Sequence, residues 1–281
     1  MVHGTPAVAL PFRSIGTQVT VSPAEQLSLH TDLDDSVART LAERVAHVAV
    51  ERLGLQPRWR VDVRSSIPVG FGLGSSAAFG AALIGALAHA NGQRLSLAQL
   101  NEHAYALETI VHGQPSGIDN TVICGESAVR FVRGASFRTV STTGTLTFVL
   151  ASCGYPGSTM EAVAGVGRYA VAHPTHFGAL LSEAHGLVEG AVAAFEAGDA
   201  ARLGPLLSRN HQLLASVGVS TPELETLVDA AHAAGALGAK LTGGGRGGFV
   251  LALVDQSAAK SVAAALTGAG ATDVFTTEVT A

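Results

Sequence analysis

The sequence predicts an α+β fold in two lobes. A mixed α/β lobe over residues 1–155 precedes a helical and sheet lobe over 156–281, with a cleft between them. Three observations predict it. Residues up to about 155 mix short apolar runs with helical stripes, residues 159–234 read as four successive helices, and a strand–helix–strand unit closes the chain. At 281 residues the chain has room for one large domain or two smaller ones, and its 47% hydrophobic content suffices for a sizeable core.

The elements follow in order. Pro6 to Leu10 reads as part of a strand, and Thr17 to Val21 alternates like a second. Asp32, Asp34, Asp35 and Ser36 are N-cap candidates for a helix to about Leu53, with Val37, Leu41, Val45 and Val48 as its apolar stripe and Gly54 as its stop. Trp59 to Val63 alternates as a strand. Ala77 to Ala90 is a helix ended by Asn91-Gly92, and Ser96 caps the next, Leu97 to about Val111. Residues 112–120 form a polar connection, and Ala128 to Val132, Phe137 to Val140 and Leu146 to Ala151 read as short strands. The boundary is placed near Tyr155-Pro156-Gly157. Helices are predicted over Thr159 to Ala172, His176 to Ala197, Ala201 to Val217 and Thr221 to Ala234. Phe249 to Val254 is a buried strand, Ala258 to Leu266 a helix and Asp273 to Thr277 a last strand.

Composition narrows the function. The net charge is −5 without a basic cluster, which argues against nucleic acid or anionic membrane as partners. Two cysteines, Cys124 and Cys153, make no disulfide framework, so a reducing, cytoplasmic setting is expected. No unbroken run of 18 apolar residues suggests a membrane span, and residues 1–12 carry no charged n-region of a signal peptide.

The stretch from Ile67 to Phe79 carries the first chemical signal. Extended chain, a glycine turn (Gly70, Gly72, Leu73, Gly74) and a helix opening on Ser75 and Ser76 follow one another. Free N–H groups and the positive end of a helix dipole attract phosphate, and a hydroxyl beside them can hold Mg²⁺. It is not a P-loop, since no Lys lies near. Gly72 to Ala77 does fit G-x-G-x-x-G/A, but that pattern expects a further strand and an acidic residue about 20 positions on. Here Leu95 to Val111 reads as a helix whose first acid is Glu102.

Two further polar, glycine-containing segments lie between regular elements: His112-Gly113-Gln114-Pro115-Ser116-Gly117-Ile118-Asp119 and Lys240-Leu241-Thr242-Gly243-Gly244-Gly245-Arg246-Gly247-Gly248. With Pro68 to Ala78, Pro156-Gly157-Ser158-Thr159 and Val2 to Ala9, they run in one order along the chain. In these motifs the chain resembles the GHMP kinases, small-molecule phosphotransferases, and among them most the mevalonate kinases. The His-Gly-x-Pro-Ser-Gly-Ile-Asp segment is the more specific of the matches.

Phosphoryl transfer needs a triphosphate clamp, Mg²⁺ and a carboxylate that orients or deprotonates the acceptor hydroxyl. The glycine turn is the clamp, Ser76 the hydroxyl for Mg²⁺, and Asp119 the catalytic carboxylate. The resemblance implies Glu108 as second metal ligand, Ser65 as an ATP contact, Thr159 as a hydroxyl near the transferred phosphate, and Gly243, Gly244 and Gly245 as a further nucleotide loop. His112 reads as structural. Arg246, usually a small residue in such loops, touches phosphate or acceptor, or points to solvent. The resemblance implies phosphorylation of mevalonate with ATP and Mg²⁺ in isoprenoid precursor synthesis; the alternatives are another small hydroxy acid or sugar as acceptor, or a nucleotide-binding relative with weak catalysis. A homodimer is allowed for. The family's upstream Lys and Gly-Glu-His are absent, since Lys240 is the first lysine; the expectation drawn is an internal start about 10–25 residues into a longer protein (the motif's length plus a leader).

Overall fold

The computed structural model describes residues 5–33, 35–132, 134 and 137–280. The N-terminal match at 2–4 and the cap candidate Asp34 lie outside them. The chain forms two compact units interleaved in sequence: Ile15–Pro68 with Gly74–Glu126, and Met1–Ser14 with Val69–Leu73 and Ser127–Ala281.

Strand β1 (Ala7–Ala9) belongs to the larger unit. The smaller unit begins with β2 (Thr17–Pro23), β3 (Ser28–Thr31), α1 (Ser36–Arg52) and β4 (Trp59–Ser65). β4 is the middle strand, antiparallel to β2 and parallel to β3, with Val19 opposite Val63 and both Val21 and Leu29 opposite Val61. A parallel pair needs a crossover, and α1 supplies it. The Asp35 carboxylate accepts the N–H groups of Val37 and Ala38, which fixes where α1 begins. Next come α2 (Ser75–Ala90), α3 (Leu97–His112) and α4 (Ile118–Gly125). Ser96 and Gln99 close a capping box at the start of α3. Leu83, Ile84 and Leu87 bury α2 among Val45, Ala49, Val61 and Leu107, and Ala81 packs with Ala104 and Cys124. Short β3 and α4 were not foreseen from sequence.

The larger unit continues with β5 (Ala128–Phe131), β6 (Arg138–Val140), β7 (Leu146–Ser152), α5 (Thr159–Ala172), α6 (Pro174–Glu196), α7 (Ala200–Ser216), α8 (Pro222–Ala233), β8 (Gly238–Leu241), β9 (Phe249–Val254), α9 (Ala259–Gly268) and β10 (Val274–Val279). It holds a sheet of order β1-β5-β6 and one of order β10-β7-β9-β8, antiparallel throughout. Every residue of β7 and β9 is buried; β9 is wholly apolar, and β7 is apolar except for Thr147 and Ser152. Val149, Val250 and Ala252 pack against Leu224, Leu227 and Val262; Phe148, Leu150 and Leu251 pack against Val192, Phe195 and Leu203. Both cysteines are free. No helix among the described residues is long and apolar enough to cross a membrane.

Candidate active site

In the smaller unit, three helix ends hold the predicted hydroxyl and carboxylates. Gly74 takes φ 71°, the left-handed region that glycine enters without a Cβ penalty, and no side chain caps α2. Its first N–H groups are therefore not claimed by a cap, and Ser75 and Ser76 are its first two residues. A Cβ on Gly74 would stand 3.3 Å from Ile123 Cδ1 and 3.5 Å from Asp119 Cβ, so the start of α2 lies against α4. Asp119 is the second residue of α4, which also lacks a side-chain cap.

Glu108 and His112 lie one turn apart near the end of α3. His112 Nε2 is 3.1 Å from Ser76 Oγ and 3.8 Å from Glu108 Oε2. Glu108 is 3% exposed, and its Oε1 has no hydrogen-bond partner among the described residues. Burial pushes the Glu108 carboxyl above its ordinary pKa; the Ser76 hydroxyl and His112 pull it down, and Asp119 adds to the rise. Asp119 is an exposed residue whose side chain lies beside Gly74. Desolvation raises its pKa, and His112 opposes the shift.

A buried carboxylate oxygen without a partner is costly unless a cation meets it. Ser76 and Glu108 therefore fit a divalent ion of the Mg²⁺ type, which takes one or two protein ligands and completes its shell with water and phosphate oxygens. Among the described residues no group of three or more His, Cys, Asp and Glu gathers as a self-sufficient metal cage. His112, read from sequence as structural, touches both partners of this pair. Its i,i+4 spacing from Glu108 on a predicted helix was the available signal. Ser65 is engaged elsewhere: its Oγ is 2.8 Å from Thr17 Oγ1 and accepts the Ile67 N–H at 3.2 Å.

The larger unit carries the remaining candidates. Segment 69–73 packs there, with the Phe71 ring edge-on to Phe249 at 5.8 Å and Leu73 against the same apolar cluster. Gly70 and Gly72 both take positive φ. A Cβ on Gly72 would lie 3.8 Å from the Gly243 Cα, so the segment runs beside the loop between β8 and β9. That loop is pinned on several sides. Thr242 N–H donates to Phe249 O (2.9 Å), Arg246 N–H to Val219 O (2.7 Å) and Gly248 N–H to Tyr155 O (2.9 Å). A Cβ on Gly245 would stand 2.4 Å from Val219 O, a space open only to glycine. The Tyr155 hydroxyl reaches Thr221 Oγ1 at 3.0 Å and donates to Glu223 Oε2 at 2.7 Å, which fixes Tyr155 to the start of α8. Val219 and Tyr155 had no local sequence signal. Thr159 opens α5, but Ser158 caps it by accepting the Glu161 N–H. The Thr159 hydroxyl is left to face Gly244, where a Cβ would stand 3.2 Å from Oγ1.

Residues 40–127 match the family described as GHMP kinases N terminal domain, and residues 191–272 match GHMP kinases C terminal. The chain belongs to the GHMP kinases. Among curated relatives it is 39% identical to a mevalonate kinase of Thermococcus gammatolerans over 221 residues, 77% of this chain and 65% of that protein. It is 34% identical to that of Thermococcus sibiricus over 274 residues, 95% and 81% respectively. The chain thus matches just under two thirds of the length of the first of these relatives. A crystal structure of L. major mevalonate kinase in complex with R-mevalonate superposes with a TM-score of 0.90 at 25% identity, over 99% of this chain and 90% of that one.

Proposed function

We propose that the chain transfers the terminal phosphoryl group of ATP to the primary hydroxyl of mevalonate, a step of isoprenoid precursor synthesis. The observation that carries this reading is the grouping of Ser76, Glu108 and Asp119 at the uncapped start of α2. The curated relatives at 39% and 34% identity are mevalonate kinases, and R-mevalonate is bound in the L. major enzyme.

The chemistry follows from the side chains. The turn at Gly70, Gly72, Leu73 and Gly74 and the first N–H groups of α2 cradle phosphate oxygens. The Ser76 hydroxyl and the Glu108 carboxylate would hold Mg²⁺, which would supply positive charge beside the phosphate oxygens. Asp119 orients the acceptor hydroxyl and takes its proton, and desolvation, which raises its pKa, makes it a stronger base than an exposed carboxylate. Within the larger unit, the Thr159 hydroxyl and the loop of Gly243, Gly244 and Gly245 lie together as nucleotide-binding candidates. Domains 1–155 and 156–281 correspond to the N- and C-terminal domains of the family.

A coupled assay of ADP release tests this. Release that depends on mevalonate and Mg²⁺ is expected, and Asp119→Asn should lower it about 100-fold to 10,000-fold while AMPPNP still binds. Turnover with another hydroxy acid or a sugar but not with mevalonate overturns the acceptor, and unchanged turnover in Asp119→Asn moves the base elsewhere.

A further inference from the structure

A groove of about 360 Å³ lies on the larger unit, lined by Arg168, Tyr169 and Ala172 of α5, by Val217 and Gly218 after α7, and by Arg246 of the glycine loop. Its two charged groups converge. A Cβ placed on Gly165 would have Arg246 Nη2 at 3.6 Å and Arg168 Nη2 at 3.9 Å, so both guanidinium groups crowd one point. No acidic residue lines the groove, and no ion pair among the described residues involves either arginine. Two like charges so close repel each other until an anion joins them.

A second observation singles out Arg246. It adopts φ 58° inside a run otherwise made of glycine (Gly243, Gly244, Gly245, Gly247 and Gly248). A side chain in the left-handed region is strained, and such strain concentrates where a residue has work that glycine cannot do. The loop's bonds to Val219 and Tyr155 hold this backbone in place, so the Arg246 side chain is presented from a fixed base. Tyr169, half-buried and ringed by His173, His176 and Phe177, makes a firm wall beside it.

We propose that Arg168 and Arg246 form a binding site for a small, multiply charged oxyanion, of the phosphate-ester, diphosphate or polycarboxylate class. Guanidinium forks match the paired oxygens of such groups, and Tyr169 packs against the rest of the ligand. The site stands on geometry in the larger unit alone and does not depend on the kinase reading.

Titration calorimetry of the full chain at low salt, without Mg²⁺, tests it with two probes, inorganic pyrophosphate and citrate. Excess AMPPNP first occupies any nucleotide site. Under it, at least one probe is expected to bind with a stoichiometry of one. Arg168→Ala and Arg246→Gly should each weaken that binding about 10-fold to 100-fold. Both positions are exposed, and Arg246→Gly places glycine where φ is positive, so both variants should melt like the parent. Dependence of pyrophosphate alone on the two arginines assigns phosphate ligands; equal dependence of citrate assigns carboxylates as well. No binding of either probe under AMPPNP, or binding unchanged in both variants, overturns the site.

Discussion

Gly157→Ala asks whether close backbone packing holds the C-terminal glycine loop. Gly157 does not need positive φ, so alanine adds no conformational penalty there. What it adds is a Cβ 2.6 Å from Gly245 O and 3.2 Å from Gly247 O. To bring the first contact to 3.0 Å, segment 155–157 or the loop must give by at least 0.4 Å, the difference of those two distances. Neither side yields cheaply, because both are backbone tied by Gly248 N–H to Tyr155 O at 2.9 Å and Arg246 N–H to Val219 O at 2.7 Å. Overpacking of this kind costs about 1–3 kcal/mol. At about 2–4 °C per kcal/mol, the melting temperature should fall by about 2–12 °C. AMPPNP affinity should fall with it, since the displaced loop carries Gly243 to Gly245. Gly167→Ala, inside α5 with open space around it, is the control and should stabilise by up to about 1 kcal/mol. Thermal melts by circular dichroism and AMPPNP titration read both variants. A Gly157→Ala protein that melts and binds like the parent would refute the packing argument.

Two further outcomes rest on buried ionisable groups. His211 is 4% exposed and its Nδ1 accepts the Leu241 N–H at 3.2 Å, so a second ring proton would break that bond. Burial lowers its pKa below 6.5, with Glu225 opposing. The unfolded chain then binds more protons in this window, so stability is full above pH 6.5 and is lost as pH falls below it. His211→Gln should flatten that slope in melts between pH 7.5 and 5.5, and an identical slope in the variant would remove His211 as its source. Burial raises the Glu108 pKa above 4.5, so the folded state loses stability as pH rises through the shifted value. Glu108→Gln should therefore be more stable than the parent at neutral pH without Mg²⁺, equally stable below pH 4.5, and require at least about tenfold more Mg²⁺ for turnover.

Long elements with strong patterns were legible in the chain. The Ser96 cap located α3 to within a residue, and the continuous apolar run Phe249 to Val254 located β9. β3 was missed because four residues, three of them polar, carry no usable alternation; its place comes from pairing with β4. α4 was hidden by the polar residues before it, and its apolar Val122, Ile123 and Cys124 show a helical face only once α2 and α3 are there to cover it. The proximity of Glu108 and His112 was readable as one helix turn. Their approach to Ser76, 36 positions from His112, was not, because only tertiary packing creates it. The brace around the glycine loop, from Tyr155 and Val219, is of the same long-range kind.

Glycine-rich sequence is commonly equated with slackness, and the loop between β8 and β9 shows why it should not be. β9 has a ladder on each side and six buried residues, so its amides belong to the part of the unit that opens last. The loop is rooted in that strand, and the N–H groups of Arg246 and Gly248 are locked to Val219 and Tyr155. In deuterium-exchange measurements these two amides should therefore exchange on the timescale of the central strands rather than of surface turns. The absence of side chains at the neighbouring positions lets the backbone sit close enough to its surroundings to be held, so here glycine confers rigidity.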